Sequence, residues 1–207
     1  MASVKKFTNS AVYNQIRHND RTLPNSSNTD INPEKYKNDY SLHPNRNMSD
    51  YDYYQSRKKE LYCYGRKDVK TLAGWIVTAP IDIPKEEYES FFQSSYNFLS
   101  NRYGENNCVQ AVIHDEEGGQ PHLHFLFIPV VNDKKHGGEK ICANDILNRK
   151  ELRSFHPELQ KYLNSDGLHA NIMSGITKEQ GGNKTVREMK KEKKRKYEHE
   201  RNIERRW

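Results

Sequence analysis

No run of 18 apolar residues occurs in the 207-residue chain, so nothing in it reads as a membrane-spanning helix. No apolar stretch at the N-terminus resembles a secretory signal. Cysteine is scarce. Cys63, Cys108 and Cys142 are odd in number and have no paired spacing, which argues against a disulfide framework or a zinc ribbon. The expected compartment is a reducing cytoplasm. Apolar residues are few at 33%, with a mean hydropathy of −1.11, so part of the chain should be solvated or await a partner. Charge of one sign is missing from most of the chain. Residues 183–207 hold 11 basic and 5 acidic residues, leaving 34 − 11 = 23 basic and 28 − 5 = 23 acidic for the rest. The net +6 thus sits in the tail, and charge supports nucleic-acid binding only there. There is no internal repeat.

The length suffices for one domain with a real core, expected over residues 1–180, followed by a basic helical tail over 181–207. Weak alternation predicts a strand over 3–8. Residues 10–21 predict a helix, with Ser10 as N-cap and Val12 and Ile16 four apart. Residues 22–58 are rich in Asn, Asp, Ser, Pro and Tyr and read as a long loop or arm. LAGWIVTA (72–79) reads as a buried strand ended by Pro80. Residues 84–103 predict a helix that opens on Pro84, Glu86 and Glu87 and ends at Gly104. Its stripe of Tyr88, Phe91, Phe92, Tyr96, Leu99 and Tyr103 should pack on a sheet. Residues 108–114 and 121–130 read as two strands joined through Gly118-Gly119. Residues 149–164 form another amphipathic helix, with Pro157 a candidate break.

Strand side chains alternate, so His122 and His124 share a face, about 7 Å apart. Leu123, Phe125 and Phe127 face the other way. On the preceding strand Val109, Ala111 and Ile113 form the apolar face, and His114 lies opposite. If the two strands pair, His114 falls across from Pro121 or His122, and the three imidazoles converge. Imidazole suits Mn, Zn, Ni, Co or Cu and holds Mg less readily. Three protein ligands leave positions for a substrate oxygen, which the metal would polarise. Asp115, Glu116 and Glu117 flank the cluster, and a carboxylate there could ligate, orient a histidine or act as a base.

Several segments carry a wider resemblance: RHNDR (17–21), DINPEKYKNDYSL (30–42), GRKD (65–68) leading into GWIVTAP (74–80), and AVIHDEEGGQPHLHFLFIPV (111–130). NRKELRSFHPELQKYLNSDGL (148–168) and NKTVREMK (183–190) continue it. In these the chain resembles the plasmid mobilisation and recombination relaxases of the Pre/Mob (MobV) type, among the histidine-hydrophobe-histidine (HUH) nucleases. The resemblance implies an enzyme that cuts one DNA strand at a plasmid transfer origin, stays attached to the 5′ phosphate, and rejoins the ends. It implies His114, His122 and His124 as ligands of a divalent cation, manganese before magnesium. It implies His18 as nucleophile through a phosphoramidate, with Arg21 one turn on to hold the phosphate. Glu117 best fits the acid near the metal. The family usually spaces its first His and its H-x-H one residue closer, so the choice between Glu116 and Glu117 stays open. Tyr40, Arg66, Lys67 and Tyr103 match DNA-contacting positions, although Tyr103 also lies on an apolar helix face. The partner is origin DNA, single-stranded and hairpin; oligomeric state is open.

The expected fold is an α/β (α+β) two-layer sandwich with an antiparallel sheet, relaxase-like. The His cluster should lie on one face, helices 84–103 and 149–164 on the other. Family members usually continue into a long C-terminal region, so the chain reads as a short member or a catalytic fragment. Two rival readings are a rolling-circle replication initiator using Tyr13, Tyr51, Tyr53 or Tyr54, and a non-catalytic DNA-binding regulator.

Overall fold

The computed structural model describes residues 2–22, 39–115 and 120–173, together with 191, 195 and 201. Glu116, Glu117, the Gly118-Gly119 turn, residues 23–38 and most of the tail lie outside the described residues. Two compact units divide the chain, residues 1–173 and 174–207. In the second, Lys191, Arg195 and Arg201 are helical and exposed.

The first unit is built on a five-stranded antiparallel sheet. Its strands are β1 (Ala2–Thr8), β2 (Tyr40–Ser41), β3 (Lys70–Thr78), β4 (Cys108–His114) and β5 (His122–Phe127), in the order β1-β3-β5-β4-β2. α3 (Tyr88–Tyr103) and α5 (Arg149–Ser165) cover one face. Trp75 of β3 lies flat on Phe155 of α5 at 3.5 Å, and Phe91, Phe92, Phe98 and Leu99 of α3 fill the space around them. Each such buried ring contributes about 1.5–3 kcal/mol of transfer energy. Arg102 of α3 clamps the two helices, bonding both Glu151 oxygens (2.7 and 2.8 Å) and reaching Glu158.

The other face carries α1 (Asn9–Asn19) and α2 (Asp50–Lys59), which enclose a second core of Val12, Ile16, Tyr54, Leu72, Val109 and Leu126. α2 lies inside the segment expected as a loop. Its surface is polar nearly all round, with Tyr54 its single buried residue, so no apolar period marks it. The signals it does carry are end signals. Ser49 caps it by accepting from the Asp52 amide at 3.1 Å, acids occupy the first turn, and Arg57, Lys58 and Lys59 the last.

α1 starts at Asn9, with Thr8 rather than Ser10 in the cap position. It ends at Asn19, two residues short of the expected end. Arg21 adopts the left-handed conformation, φ 57°, and this breaks the helix. Val109 does not join Ala111 and Ile113, because a bulge between Cys108 and Gln110 turns it to the α1–α2 side. β5 stops at Phe127. Pro129 has no N–H for the ladder, and the chain enters a separate hairpin of β6 (Val130–Asp133) and β7 (Gly138–Ile141). The short α4 (Ala143–Ile146) leads into α5, which continues through Pro157. Arg153, whose carbonyl loses its partner to that proline, is on the exposed side with it, where water can compensate.

Candidate metal centre

β4 and β5 pair so that His114 lies directly opposite His122, and Val112 opposite His124. The ring centroids are 5.4 Å apart for His114–His122, 4.4 Å for His114–His124 and 4.8 Å for His122–His124. One ligand nitrogen from each ring lies within 4.8 Å of the other two. The expected convergence of three imidazoles is therefore present. β5 pairs with β3 as well as β4, placing Ile76 beside His124 and Thr78 beside His122.

Hydrogen bonds set the ring tautomers. His114 Nε2 lies 2.9 Å from the Asn19 carbonyl, and His122 Nδ1 lies 3.2 Å from the Gln120 carbonyl. A carbonyl only accepts, so each of these nitrogens carries a proton, and in the neutral ring the other nitrogen offers the lone pair a metal needs. Burial, then the charge of Arg21, pulls the His114 pKa down to about 4, so the ring is neutral at physiological pH. A three-imidazole set with positions left over fits a catalytic divalent cation.

α1 ends against this cluster. Asn19, its last residue, accepts from His114, and His18 precedes it in the same turn, half-buried. Arg21 follows. Its side chain is nearly buried and pairs with Asp39 at 3.3 Å, while the other Asp39 oxygen accepts from the Asp115 amide at 3.2 Å. A left-handed arginine held this way is backbone strain retained beside the cluster. Asp39, Asn19 and Gln110 complete the surroundings, and sequence reasoning singled out none of them. Asn19 and Asp39 stand inside the RHNDR and DINPEKYKNDYSL motifs. The signal for Gln110 was a polar residue amid an apolar strand.

The other expected site residues divide. Tyr40, at the sheet edge opposite Ile113, lines a cavity of about 710 Å³ with Tyr88, Phe92, Asp115 and Gln120. Burial, with Glu89 and Asp115 adding, raises its pKa, so its hydroxyl stays protonated. Arg66 and Lys67 are exposed, Arg66 beside Asp68 at 3.4 Å, but they precede β3 at the end away from Thr78. Seven residues of strand lie between them and the level of His124 and nine to that of His122, roughly 20 to 25 Å. Tyr103 is a correction. Only 7% exposed, it stacks on Phe127 at 4.2 Å on the face opposite the histidines, its hydroxyl held by Trp75 and Glu151. Packing explains its burial.

The fold is that of a relaxase domain. The chain superposes on the MobM relaxase domain bound to plasmid pMV158 oriT DNA, in a manganese-bound crystal structure at pH 6.8. The TM-score is 0.74 at 26% identity, covering 92% of this chain and 97% of that one. A second manganese-bound crystal structure of that complex, at pH 5.5, gives 0.71 at 25% identity, covering 92% and 97%. The chain belongs to the plasmid recombination enzyme family: the Mob_Pre family model matches residues 1–191. Curated relatives include the plasmid recombination enzyme type 1 of Staphylococcus aureus, 30% identical over 170 residues, 79% of this chain. Another is the plasmid recombination enzyme of Streptococcus agalactiae, 26% identical over 205 residues, 92% of this chain. The chain spans 40% and 38% of those two relatives' length.

Proposed function

We propose that this domain nicks and rejoins one DNA strand at a plasmid transfer origin, with His18 as nucleophile and His114, His122 and His124 as the metal ligands. One observation carries the reading. The last residue of α1 is hydrogen-bonded to a histidine of the cluster, so the turn bearing His18 lies against the metal face. The crystallised relative, which holds both manganese and origin DNA, supports a divalent cation and origin DNA as what this domain binds. A divalent cation in the cluster, manganese before magnesium, would polarise a phosphate oxygen.

The neutral imidazole nitrogen of His18 attacks phosphorus. The bond to the 3′ oxygen breaks, and that oxygen leaves as a hydroxyl after taking up a proton. His18 gives up its own ring proton and keeps the 5′ phosphate as a phosphoramidate. Rejoining reverses these steps. Arg21, already aligned by Asp39, balances charge on the phosphate. Glu117, or Glu116 beside it, supplies the acid near the metal. Tyr40, Arg66 and Lys67 hold the strand, and the tail adds salt-dependent affinity through its Lys and Arg. Cytoplasmic action on plasmid DNA fits a chain in which, among the described residues, no helix is long and apolar enough to cross a membrane.

Two of the four tyrosines of the rival initiator reading are engaged elsewhere, while Tyr13 is exposed. Tyr54 is fully buried and bonded to Thr71 and Asn9, and Tyr53 donates to the Asn106 carbonyl at 2.9 Å. The test is incubation with origin DNA and Mn²⁺, followed by acid treatment of the adduct. A phosphoramidate releases its DNA in acid and a tyrosyl phosphodiester does not. An adduct formed at the normal rate by His18→Ala, or one stable to acid, would overturn the nucleophile. Sequence-specific binding that persists in chelator with no cleavage would favour a non-catalytic regulator.

A further inference from the structure

Gln110 is a fully buried polar side chain in a strand that is apolar apart from it and the terminal His114. Two and four residues before Val112 and His114, it shares their face of β4 and reaches the ends of α1 and α2. There it uses three of its hydrogen-bonding positions on side chains from two helix ends. Its Oε1 accepts from Asn19 Nδ2 at 2.8 Å, and its Nε2 donates to Asp20 Oδ1 at 2.7 Å and to Asp50 Oδ2 at 3.0 Å. Asp20 lies at the surface as a residue, but its carboxylate turns inward to this amide. Burial and then Asp50 raise the Asp20 pKa to about 6, while His43 opposes them. His43 and Arg46 also approach the far oxygen of Asp50, at 3.5 and 3.8 Å.

We infer that Gln110 is a positioning residue that aligns the end of α1 with the metal ligand His114; the catalytic part of this inference rests on the nicking reading above. Asn19 is gripped twice by one strand. Its side chain bonds Gln110 and its carbonyl accepts from His114, four residues further along β4. The same grip sets the height of His18, its neighbour, over the histidine face. Nucleophile and phosphorus must meet at about 3–3.5 Å, and a displacement near 1 Å costs about 100-fold in rate. The chemistry selects glutamine. Two carboxylates each need a hydrogen from it and an amide needs an acceptor. Glutamate cannot supply the two donors, and an apolar residue would strand all three partners.

The experiment compares Gln110→Met, close in volume, and Gln110→Glu with the wild type and with Val109→Ala, a cavity in the same bulge. Four quantities are read: adduct rate at saturating origin DNA and Mn²⁺, affinity for origin DNA, Mn²⁺ affinity without DNA, and thermal stability. The positioning role predicts a drop in adduct rate of about 100-fold with DNA affinity changed less than about threefold. It also predicts Mn²⁺ affinity about tenfold weaker, because His114 loses the fixed carbonyl that orients it. Val109→Ala should lose stability and keep both. If either Gln110 variant does not fold, Asn19→Ala removes the same bond from the other partner. Wild-type rate and wild-type Mn²⁺ affinity in the Gln110 variants would overturn the inference. So would equal losses in a Val109→Ala protein of matched stability. If the wild type forms no adduct, the nicking reading falls, and the Mn²⁺ comparison still decides the role of Gln110.

Discussion

Tyr103 donates its hydroxyl proton to Glu151 at 2.6 Å and accepts from Trp75 Nε1 at 2.8 Å, tying α3, α5 and β3 together beneath the sheet. Tyr103→Phe leaves the buried indole N–H without its acceptor. The expected loss is about 1–3 kcal/mol in urea unfolding, with DNA affinity unchanged at fixed salt. Weaker DNA binding at unchanged stability would restore Tyr103 as a DNA contact.

If His114, His122 and His124 hold the metal, removing one imidazole leaves it two protein donors. His124→Ala should weaken Mn²⁺ or Co²⁺ binding by at least about 100-fold in calorimetric titration, more than disturbing an outer partner does. Wild-type affinity in that variant would move the metal elsewhere.

Asp20 gives a pH signature. Its folded pKa, about 6, lies above the ordinary 3.8, so the folded state binds the proton more tightly. Stability should fall as pH rises from about 4 to 6 and stay lower above that window. Asp20→Asn carries no such loss. It should exceed the wild type by about 1 kcal/mol at pH 7, a figure kept small for solvent screening, with the gap closing below pH 4. Urea unfolding at four pH values checks this, and a gap constant across them would contradict it.

Arg66 and Lys67 sit far along the sheet from the histidines. If they hold DNA backbone, the double Ala variant should lower the slope of log affinity against log salt by about 2. Its adduct rate at saturating DNA should be unchanged. An unaltered slope removes them from the DNA surface.

The histidine site was legible because it depends on short-range rules. Period-two alternation fixed which side His122 and His124 share, and one turn brought His114 across. The aromatic stripe of α3 was legible for the same reason. What escaped notice was set by tertiary context. α2 is a helix with almost no apolar stripe, recognisable only from its capped, charged ends. The bulge that redirects Val109 leaves no local mark, since Val and Gln there read equally well as plain strand. Asp39 and Asn19 matter through partners 76 and 95 positions away, a separation no periodicity reports.

β5 carries two of the three histidines and is hydrogen-bonded along both edges, between β3 and β4. Its backbone therefore owes nothing to the ion. Chelator should strip the metal without melting the domain, unlike a small zinc module that folds only around its cation. An ion captured there would enter a finished receptacle, and the energy of its capture would be left for gripping phosphate rather than building the sheet.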